Sequence, residues 1–431
     1  MTRLPRLIVL LLIVLPLFAS CSATPGNTIK TTANKVTPVT TSTTATSCPT
    51  KLKLPPTCLT PQALRDIYGF TPLIQKGYTG QGQTIIDIVS YGSPTLQKDM
   101  DLYDRTFGLP PINLQTIAPL TDIPETDPHH DKAGWAAETT LDVQIIHSLA
   151  PAAKIIVLAS PVDEVEGTTG LPEFLQLEQY AINHKLGNII SHSWGASEIT
   201  LNTSAGRAEM QQWNTLLQQG TVNDHITYVA SSGDQGATDY ADINATKLAT
   251  VPTTNFIADS PWVTSVGGTS VHQNKNTVSE SAWPSSGGGF SRFYATPDYQ
   301  QSLPQAVQTE LHNRRGVPDV AADADPLTGL AMVMGNSWTL AGGTSASAPV
   351  WAALAAIANQ MAGHPLGFIN PGLYALANSP GYEQDFHDVT QGNNTNGEVK
   401  GYPAVKGWDP VTGLGTPDAQ YLIPNLILAL K

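Results

Sequence analysis

The chain has 431 residues, enough for one large domain with a substantial core, and only 13% of them are charged. Its net charge of -13 and its isoelectric point of about 5.1 come without any basic cluster that could neutralise phosphates, which argues against a nucleic-acid-binding protein. Sparse charge with an acidic balance suits an acidic medium, although an ordinary acidic soluble protein has the same composition.

The first 21 residues are predicted to be a targeting segment. Arg3 and Arg6 precede an apolar run from Leu7 to Phe18, which is too short for a good membrane span. The run leads into Leu-Phe-Ala-Ser-Cys, which is similar to a bacterial lipobox except that Phe18 replaces a small aliphatic residue. We expect a lipid anchor on Cys21 rather than plain secretion. In either case the mature chain lies outside the cytoplasm.

Residues 22–58 are predicted to form a flexible stalk that ends in a short loop. Residues 22–47 are rich in Thr, Ser, Ala, Pro and Asn and nearly free of large apolar side chains. Cys48 and Cys58 flank the loop, and a disulfide between them is expected in an oxidising compartment. Two cysteines without nearby histidines do not make a zinc site. One domain is predicted from residue 59 to residue 431.

From about Leu59 onward, short apolar runs alternate with helical patterns. Continuous apolar strands that alternate with helices predict an α/β domain with a doubly wound, mostly parallel sheet and helices on both faces. The predicted strands are residues 84–89, 154–158, 188–191 and 226–230, and the predicted helices are residues 134–149, 172–184 and 205–219. The last third of the chain is richer in Gly, Pro and Asn, so loops are expected to dominate there.

The first of these helices carries two carboxylates four residues apart. Glu138 and Asp142 therefore share one helix face, where two carboxyl groups can share a proton and so acquire different pKa values. An arbitrary pair with this spacing is usually two solvated acids. Here the neighbours are Ala, Thr and Leu, which favours a buried pair. Trp135 on the same helix and residues 160–172 are expected to line substrate pockets.

Asp234 follows the strand predicted at residues 226–230. Ligands and catalytic groups collect at the carboxyl ends of strands in sheets of this type. An aspartate there can donate a hydrogen bond to an oxyanion only when it is protonated. The simpler alternative is that Asp234 caps a turn, which is the usual role of a Gly-Asp-x-Gly sequence.

The stretch from Gly342 to Pro349 places Ser345 after a glycine turn and at the head of an apolar helix. Free N–H groups and the positive end of the helix dipole can hold an oxyanion there, so Ser345 is a candidate nucleophile. None of the ten histidines lies in the His-Gly-Thr setting of a subtilisin-type base. His147 is predicted to be a packing residue or to lie at a polar edge, and His129 and His130 are predicted to be exposed.

Together these residues resemble the sedolisin family of serine-carboxyl peptidases. The resemblance implies a subtilisin-like fold, Ser345 as nucleophile, Glu138 as general base, Asp142 as the residue that orients it, and a protonated Asp234 that stabilises the oxyanion. It runs from about Leu59 to the C-terminus, and its motifs follow one order. They are Glu138-x-x-x-Asp142, Ser193-Trp194-Gly195, Ser232-Gly233-Asp234, residues 261–269, residues 287–291, residues 315–320 and Gly343-Thr344-Ser345-Ala346-Ser347.

The same resemblance implies one structural calcium ion near the C-terminus. Two segments match, residues 386–390 and residues 406–410. Asp388 and Asp409 would supply carboxylates, and Val389, Val405 and Gly407 would supply backbone carbonyls. Oxygen donors of this kind suit Ca²⁺. Val405 stands where the family usually has glycine, and the simpler alternative is that the two acids only cap loops.

The sequence therefore predicts an extracytoplasmic peptidase that acts at acidic pH, with protein or peptide substrates and a monomeric state. An endopeptidase is favoured over a tripeptidyl-peptidase, and an inactive, sedolisin-like binding lipoprotein is the alternative from another class. A subtilisin-type Ser-His-Asp peptidase lacks its histidine motif, and an esterase lacks the Gly-x-Ser-x-Gly elbow. Only the stalk and the short loop precede the domain, so we expect the domain to fold without the family's long propeptide in cis.

Overall fold

The computed structural model describes residues 48–274 and 277–431. The predicted targeting segment, Cys21 and the stalk up to residue 47 lie outside the described residues. Within the described ranges, no helix is both long enough and apolar enough to span a bilayer.

Most of the strands are short, and the longest ones build a single central sheet. In chain order they are β1 (Thr84–Ser90), β2 (Asn113–Ile117), β3 (Lys154–Ser160), β4 (Ile189–His192), β5 (Ala196–Ser197), β6 (Thr227–Ser231), β7 (Asn255–Phe256), β8 (Thr264–Asn274), β9 (Thr277–Ala282), β10 (Gly289–Phe290), β11 (Gly316–Val317), β12 (Val320–Asp323), β13 (Leu330–Met334), β14 (Ser337–Ala341), β15 (Phe386–His387) and β16 (Thr416–Pro417).

The helices lie mostly between these strands. They are α1 (Pro61–Ile67), α2 (Thr71–Gln75), α3 (Leu96–Phe107), α4 (Lys132–Leu149), α5 (Leu171–Asn183), α6 (Ser204–Asn223), α7 (Gln305–Leu311), α8 (Thr344–Ala362), α9 (Asn370–Ala377), α10 (Tyr382–Asp385) and α11 (Ala419–Ala429), with short 3-10 helices at Thr50–Leu52 and Asp298–Ser302. Each of the seven strands and helices predicted for the first half of the domain is present, within two residues at its start.

The central sheet is almost entirely parallel, which confirms the predicted fold class. Its strands lie in the order β12-β8-β6-β4-β1-β3-β2, and β9 is added antiparallel to β8. Parallel strands need crossover connections, and the helices supply them. The carboxyl ends of β1, β3, β4 and β6 therefore meet along one edge of the sheet.

Helices cover both faces of the sheet. On one face α4 and α8 pack against each other and against the strands, and on the other face α5 and α6 cover β1, β3 and β6. Each face has its own core of fully buried aliphatic and aromatic side chains. Alanine is the commonest residue of α8, and its small side chain allows this helix to lie close to α4 and to the sheet.

The loop that precedes the domain is fastened to its surface. Cys48 and Cys58 form a disulfide with their Cα atoms 5.4 Å apart. Both cysteines and Leu52 are buried in a small apolar cluster with Ala331 of β13. This loop is thus packed against the domain, and the stalk predicted before it ends at residue 47.

Candidate active site

Ser345 lies in the first turn of α8, as the sequence predicts. The turn that leads into it requires glycine, because Gly343 has a φ of +97° and a Cβ there would lie 2.6 Å from the Asp234 Oδ2 atom. The N–H of Ser345 is among the first amide groups of the helix, which have no partner within the helix itself. The side chain is partly exposed, so a substrate carbonyl can reach it.

Glu138 is the hydrogen-bond partner of this serine. It projects from α4, which packs against α8, and its carboxylate accepts a hydrogen bond from the Ser345 hydroxyl. Its Oε1 atom has no hydrogen-bond donor among the described residues. Burial raises the pKa of Glu138, whereas the hydrogen bond from Ser345 lowers it and the negative charge of Asp234 raises it further. The arrangement pairs a nucleophile with a base.

Asp142 is completely buried one helical turn beyond Glu138. Its Oδ1 atom accepts a hydrogen bond of 3.0 Å from Ser193 Oγ, in the predicted Ser-Trp-Gly turn after β4. Burial raises its pKa well above the usual range, and the charges of Asp87 and Glu138 raise it further. Its direct contacts are with Ser193 and Asp87, so it influences Glu138 through its charge.

Asp87 extends the chain of carboxyl groups, and it was missed at the sequence level. It lies on β1, fully buried, and shares a hydrogen bond with Asp142. Neither of its oxygens has another donor among the described residues, so this hydrogen bond needs a proton held between the two carboxyl groups. Burial raises the pKa of Asp87, which favours that proton. The available signal was one aspartate inside the apolar run of residues 85–89.

Asp234 stands at the carboxyl end of β6, opposite the head of α8. Its Oδ1 atom accepts two hydrogen bonds of 2.8 Å, from the N–H and the hydroxyl of Thr344. The side chain is exposed to solvent on one side. Desolvation by the surrounding protein raises the pKa of Asp234, whereas the two hydrogen bonds from Thr344 lower it, and the net shift is upward. With Oδ1 occupied as an acceptor, Oδ2 is the atom that can carry a proton towards an oxyanion.

No histidine takes part in this site. Among the described residues, none of the hydrogen bonds made by histidines reaches Ser345. His147 is buried and contacts the Pro110 carbonyl, as expected for a packing residue. The prediction for His129 was wrong, because His129 is only partly exposed and pairs with the buried Asp163, whereas His130 is exposed.

The predicted calcium ligands lie around one loop. Asp388 accepts hydrogen bonds of 3.1 and 3.2 Å from the Gly407 N–H, and Asp409 Oδ2 accepts one of 3.0 Å from the Val405 N–H. The carbonyls of Val389, Val405 and Gly407 accept no hydrogen bond from the described residues. Burial raises the pKa of Asp388, and it raises the pKa of Asp409 to about 7. Free carbonyls beside the buried Asp409 and the partly buried Asp388 fit a hard cation.

The fold and the site together define a subtilisin-like protein whose serine is paired with carboxylates instead of histidine. A family model described as "Subtilase family" matches residues 130–366. Kumamolisin of Bacillus sp. (strain MN-32) is 33% identical over 384 residues, which cover 86% of this chain and 64% of kumamolisin. The chain belongs to the subtilase family. Its resemblance to the sedolisins is confirmed.

Other relatives agree with this assignment. The structure described as Pseudomonas sedolisin (serine-carboxyl proteinase), complexed with two molecules of pseudo-iodotyrostatin, is similar with a TM-score of 0.68 and 25% identity over 80% of this chain and 92% of that one. Tripeptidyl-peptidase 1 of Homo sapiens is 32% identical over 310 residues, which cover 67% of this chain and 52% of that protein. The chain thus spans only part of the length of these curated relatives.

Proposed function

We propose that the chain is a serine-carboxyl peptidase that hydrolyses peptide bonds in proteins or peptides in acidic solution. The observation that carries this proposal is the hydrogen bond from the Ser345 hydroxyl to Glu138, at the head of a helix and without a histidine. A serine hydroxyl is a weak nucleophile until a base accepts its proton, and Glu138 is the base in contact with it.

In the acylation step, Ser345 Oγ attacks the carbonyl carbon of the scissile peptide bond, and its proton passes to Glu138. The carbonyl oxygen becomes negative and accepts hydrogen bonds from a protonated Asp234 and from the Ser345 N–H. When the tetrahedral intermediate collapses, the C–N bond breaks and the leaving amine takes the proton from Glu138. An ester on Ser345 remains.

In the deacylation step, a water molecule attacks the ester while Glu138 accepts a proton from it. The C–O bond to Ser345 then breaks, and the serine recovers the proton from Glu138. Asp142 and Asp87 act as positioning residues. While one proton is held between them, the pair carries a single negative charge close to Glu138. This charge raises the basicity of the Glu138 carboxylate, so that it accepts the Ser345 proton more readily.

The pKa shifts set the direction of the pH dependence. As the pH rises, the ionised fraction of Glu138 increases and the protonated fraction of Asp234 decreases. Activity is therefore expected in a limited pH window in which both required forms are present. An unperturbed carboxyl group titrates near about 4. The surrounding protein raises both pKa values, that of Glu138 to about 8. We therefore expect the window to lie above about 4, and we propose that the need for a neutral Asp234 keeps its maximum below neutrality.

We favour an endopeptidase over a tripeptidyl-peptidase, although several relatives carry the latter name. The test is cleavage of a peptide library between about pH 4 and pH 7, with products identified by mass spectrometry. Internal cleavage of long peptides supports an endopeptidase, and release of successive N-terminal tripeptides supports the alternative.

The matched variants in this test are Ser345→Ala and Ser347→Ala on the same helix. The Ser347 hydroxyl donates to the Ala322 and Asp323 carbonyls, away from the site. Cleavage should disappear with Ser345→Ala only. If the wild type binds library peptides but cleaves none at any pH, the chain is the inactive binding protein instead.

We infer that the loop around Asp388 and Asp409 holds one structural Ca²⁺ ion through these carboxylates and the carbonyls of Val389, Val405 and Gly407. The support is the fit of the oxygen set described above. The bound ion would supply positive charge to the buried Asp409 carboxylate and the partly buried Asp388 carboxylate, and so stabilise the loop.

We further propose that the enzyme works outside the cytoplasm as a lipid-anchored monomer. The Cys48–Cys58 disulfide supports an oxidising compartment. Metabolic labelling with a palmitate analogue tests the anchor in a bacterial host. Label should appear on the wild type and not on Cys21→Ser, and an unlabelled wild type would contradict the anchor.

A further inference from the structure

Asp234 lies in a turn whose shape is set by its neighbours. Neither the N–H nor the carbonyl of Asp234 makes a hydrogen bond with the described residues. Gly233 and Gly236 flank it with φ values of +107° and +67°, and glycine is the residue with the most backbone freedom. The direction of the Asp234 carboxyl group therefore depends on what holds the chain on either side of it.

The side of the turn that precedes Asp234 is held by the site itself. The Gly233 N–H donates to the Thr344 hydroxyl at 3.0 Å, and the Gly233 carbonyl accepts a hydrogen bond of 2.7 Å from the Gly287 N–H. Because Thr344 directly precedes Ser345, this side is fixed relative to the head of α8.

The side of the turn that follows Asp234 is held by a segment far along the chain. Asn396 Nδ2 donates a hydrogen bond of 2.8 Å to the Gln235 carbonyl, which has no other donor among the described residues. The two segments are in close contact, since a Cβ on Gly236 would lie 2.6 Å from the Asn394 carbonyl oxygen. Asn396 thus fixes the carbonyl of the residue that comes directly after Asp234.

Asn396 is supported by a short hairpin, residues 393–403. Two antiparallel bridges close this hairpin. Asn394 is fully buried within it, where its side chain accepts a hydrogen bond of 2.8 Å from the Tyr402 N–H and donates one of 3.0 Å to the Ser286 carbonyl. A donor on a support that is itself hydrogen-bonded is held in place before the reaction begins.

The chemistry of this donor also suits its place. Asp234 must be protonated to donate to an oxyanion, and a lysine or arginine close to it would favour its ionised form. Within residues 48–274 and 277–431, no lysine or arginine forms an ion pair with Asp234. The amide of Asn396 donates a hydrogen bond without a charge, so it holds the turn and does not disfavour the proton on Asp234.

We infer that Asn396 is a positioning residue for Asp234, whose carboxyl group it keeps directed towards the oxyanion formed at Ser345. The inference rests on the proposed peptidase function and adds a residue to its machinery. Asn396 makes no hydrogen bond to Ser345, Glu138 or Asp234 itself among the described residues. Its effect on the reaction therefore passes through Asp234.

The experiment is a double-mutant cycle with Asn396→Ala, Asp234→Ala and the combined variant, measured as kcat and KM for one peptide substrate. Asn393→Ala is the matched control, because Asn393 belongs to the same hairpin but is exposed and accepts its hydrogen bond from the Thr395 N–H. The active fraction of each variant is measured by active-site titration, so misfolded enzyme is not counted.

Asn396→Ala should lower kcat by about tenfold at nearly unchanged KM, because the hydrogen bond to the oxyanion forms only in the transition state. In the Asp234→Ala background the same change should alter kcat by less than about twofold, since its target is already lost. Asn393→Ala should behave as wild type. An equal loss in both backgrounds, or a kcat of Asn396→Ala equal to that of wild type, would overturn the inference.

Asn396→Asp separates the hydrogen bond from the effects of charge. The new carboxyl group can donate to the Gln235 carbonyl only while it is protonated, so the ratio of its kcat to that of wild type should fall as the pH rises from about 3.5 to about 6. The new charge alone would act in the opposite direction, because a nearby anion raises the pKa of Asp234 and extends activity to higher pH. A ratio that stays constant or rises would contradict the positioning role.

A failure of this inference differs from a failure of the proposed function. If Asp234→Ala loses activity and Asn396→Ala does not, only the positioning role is wrong. If Asp234→Ala keeps its full kcat, the role of Asp234 is wrong and the inference falls with it. If the wild type cleaves no peptide at all, the peptidase assignment itself is wrong.

Discussion

At the scale of single residues, the chemistry depends on where a few protons lie. Ser345, Glu138, Asp142 and Asp87 form one line of hydrogen bonds and close charges from the head of α8 to strand β1. Asp234 stands on the other side of the serine. A histidine base would titrate near neutrality by itself. The carboxyl groups of this site can act together only while some of them stay protonated, because Asp234 must donate a hydrogen bond and Asp142 and Asp87 share one proton.

Substitutions of Asp234 test its role as a neutral donor. Asp234→Ala should lower kcat by about 10²- to 10³-fold, because one oxyanion donor is removed. Asp234→Asn keeps an N–H donor that does not titrate, so it should retain more activity and lose the basic limb of the pH profile. The measurement is kcat against pH for both variants. An unchanged kcat in Asp234→Ala, or an unchanged basic limb in Asp234→Asn, would contradict the assignment.

The sequence was informative about residues that belong to a spaced motif. Glu138 and Asp142 are four residues apart, so they share a face of their helix wherever that helix lies in the fold. Ser345 directly follows a glycine turn. Both features can be read from the local sequence. Asp87 meets Asp142 only because β1 lies beside α4 in the folded chain. The pairing of His129 with Asp163 likewise joins two loops, and local sequence does not indicate such a contact.

At the scale of elements, predictions succeeded where the hydrophobic period was long and regular. The buried strands β1, β3, β4 and β6 and the helices between them follow from continuous apolar runs. The hairpin β13–β14 and the two-residue strands in the last third of the chain carry no such period. The positions of these strands depend on loops and tertiary contacts. The packing of the Cys48–Cys58 loop against β13 depends on tertiary contacts as well.

The loop that contains Asp388 and Asp409 gives a test at this scale. Added Ca²⁺ should raise the melting temperature of the wild type at neutral pH, because the ion binds the folded loop and not the unfolded chain. Asp388→Asn should abolish this rise. Glu383→Gln is the matched control, since Glu383 is exposed and, among the described residues, its ion pair is with Lys406. A calcium-dependent rise in Asp388→Asn equal to that of wild type would contradict the site.

At the scale of the whole molecule, buried carboxyl groups dominate the response to pH. Burial raises the pKa of Asp323, Asp259 and Glu164 well above the usual range, and that of Asp409 to about 7. In the unfolded chain such groups titrate near about 4. Between that value and the folded pKa, the folded state binds more protons than the unfolded state. Stability therefore falls as the pH rises through this range.

We predict that the melting temperature in calcium-free buffer drops by about 5 °C or more between pH 4 and pH 7.5. Asp323→Asn should reduce the slope, because Asp323 Oδ2 is buried without a partner among the described residues and its ionisation is lost in the variant. The measurement is calorimetry across the pH range. A melting temperature that rises steadily to pH 7.5 would show that these carboxyl groups are ionised in the folded state.

The most direct test of the account is the pH dependence of kcat/KM for one good peptide substrate, measured from about pH 3 to pH 9 with wild type and Glu138→Gln. With Glu138 as base and a protonated Asp234 as donor, the wild-type profile should be bell-shaped with its maximum below neutrality, and Glu138→Gln should lose at least about 10³-fold at that maximum. A wild-type profile centred at or above about pH 8, or a Glu138→Gln variant with nearly full activity, would contradict the carboxylate mechanism.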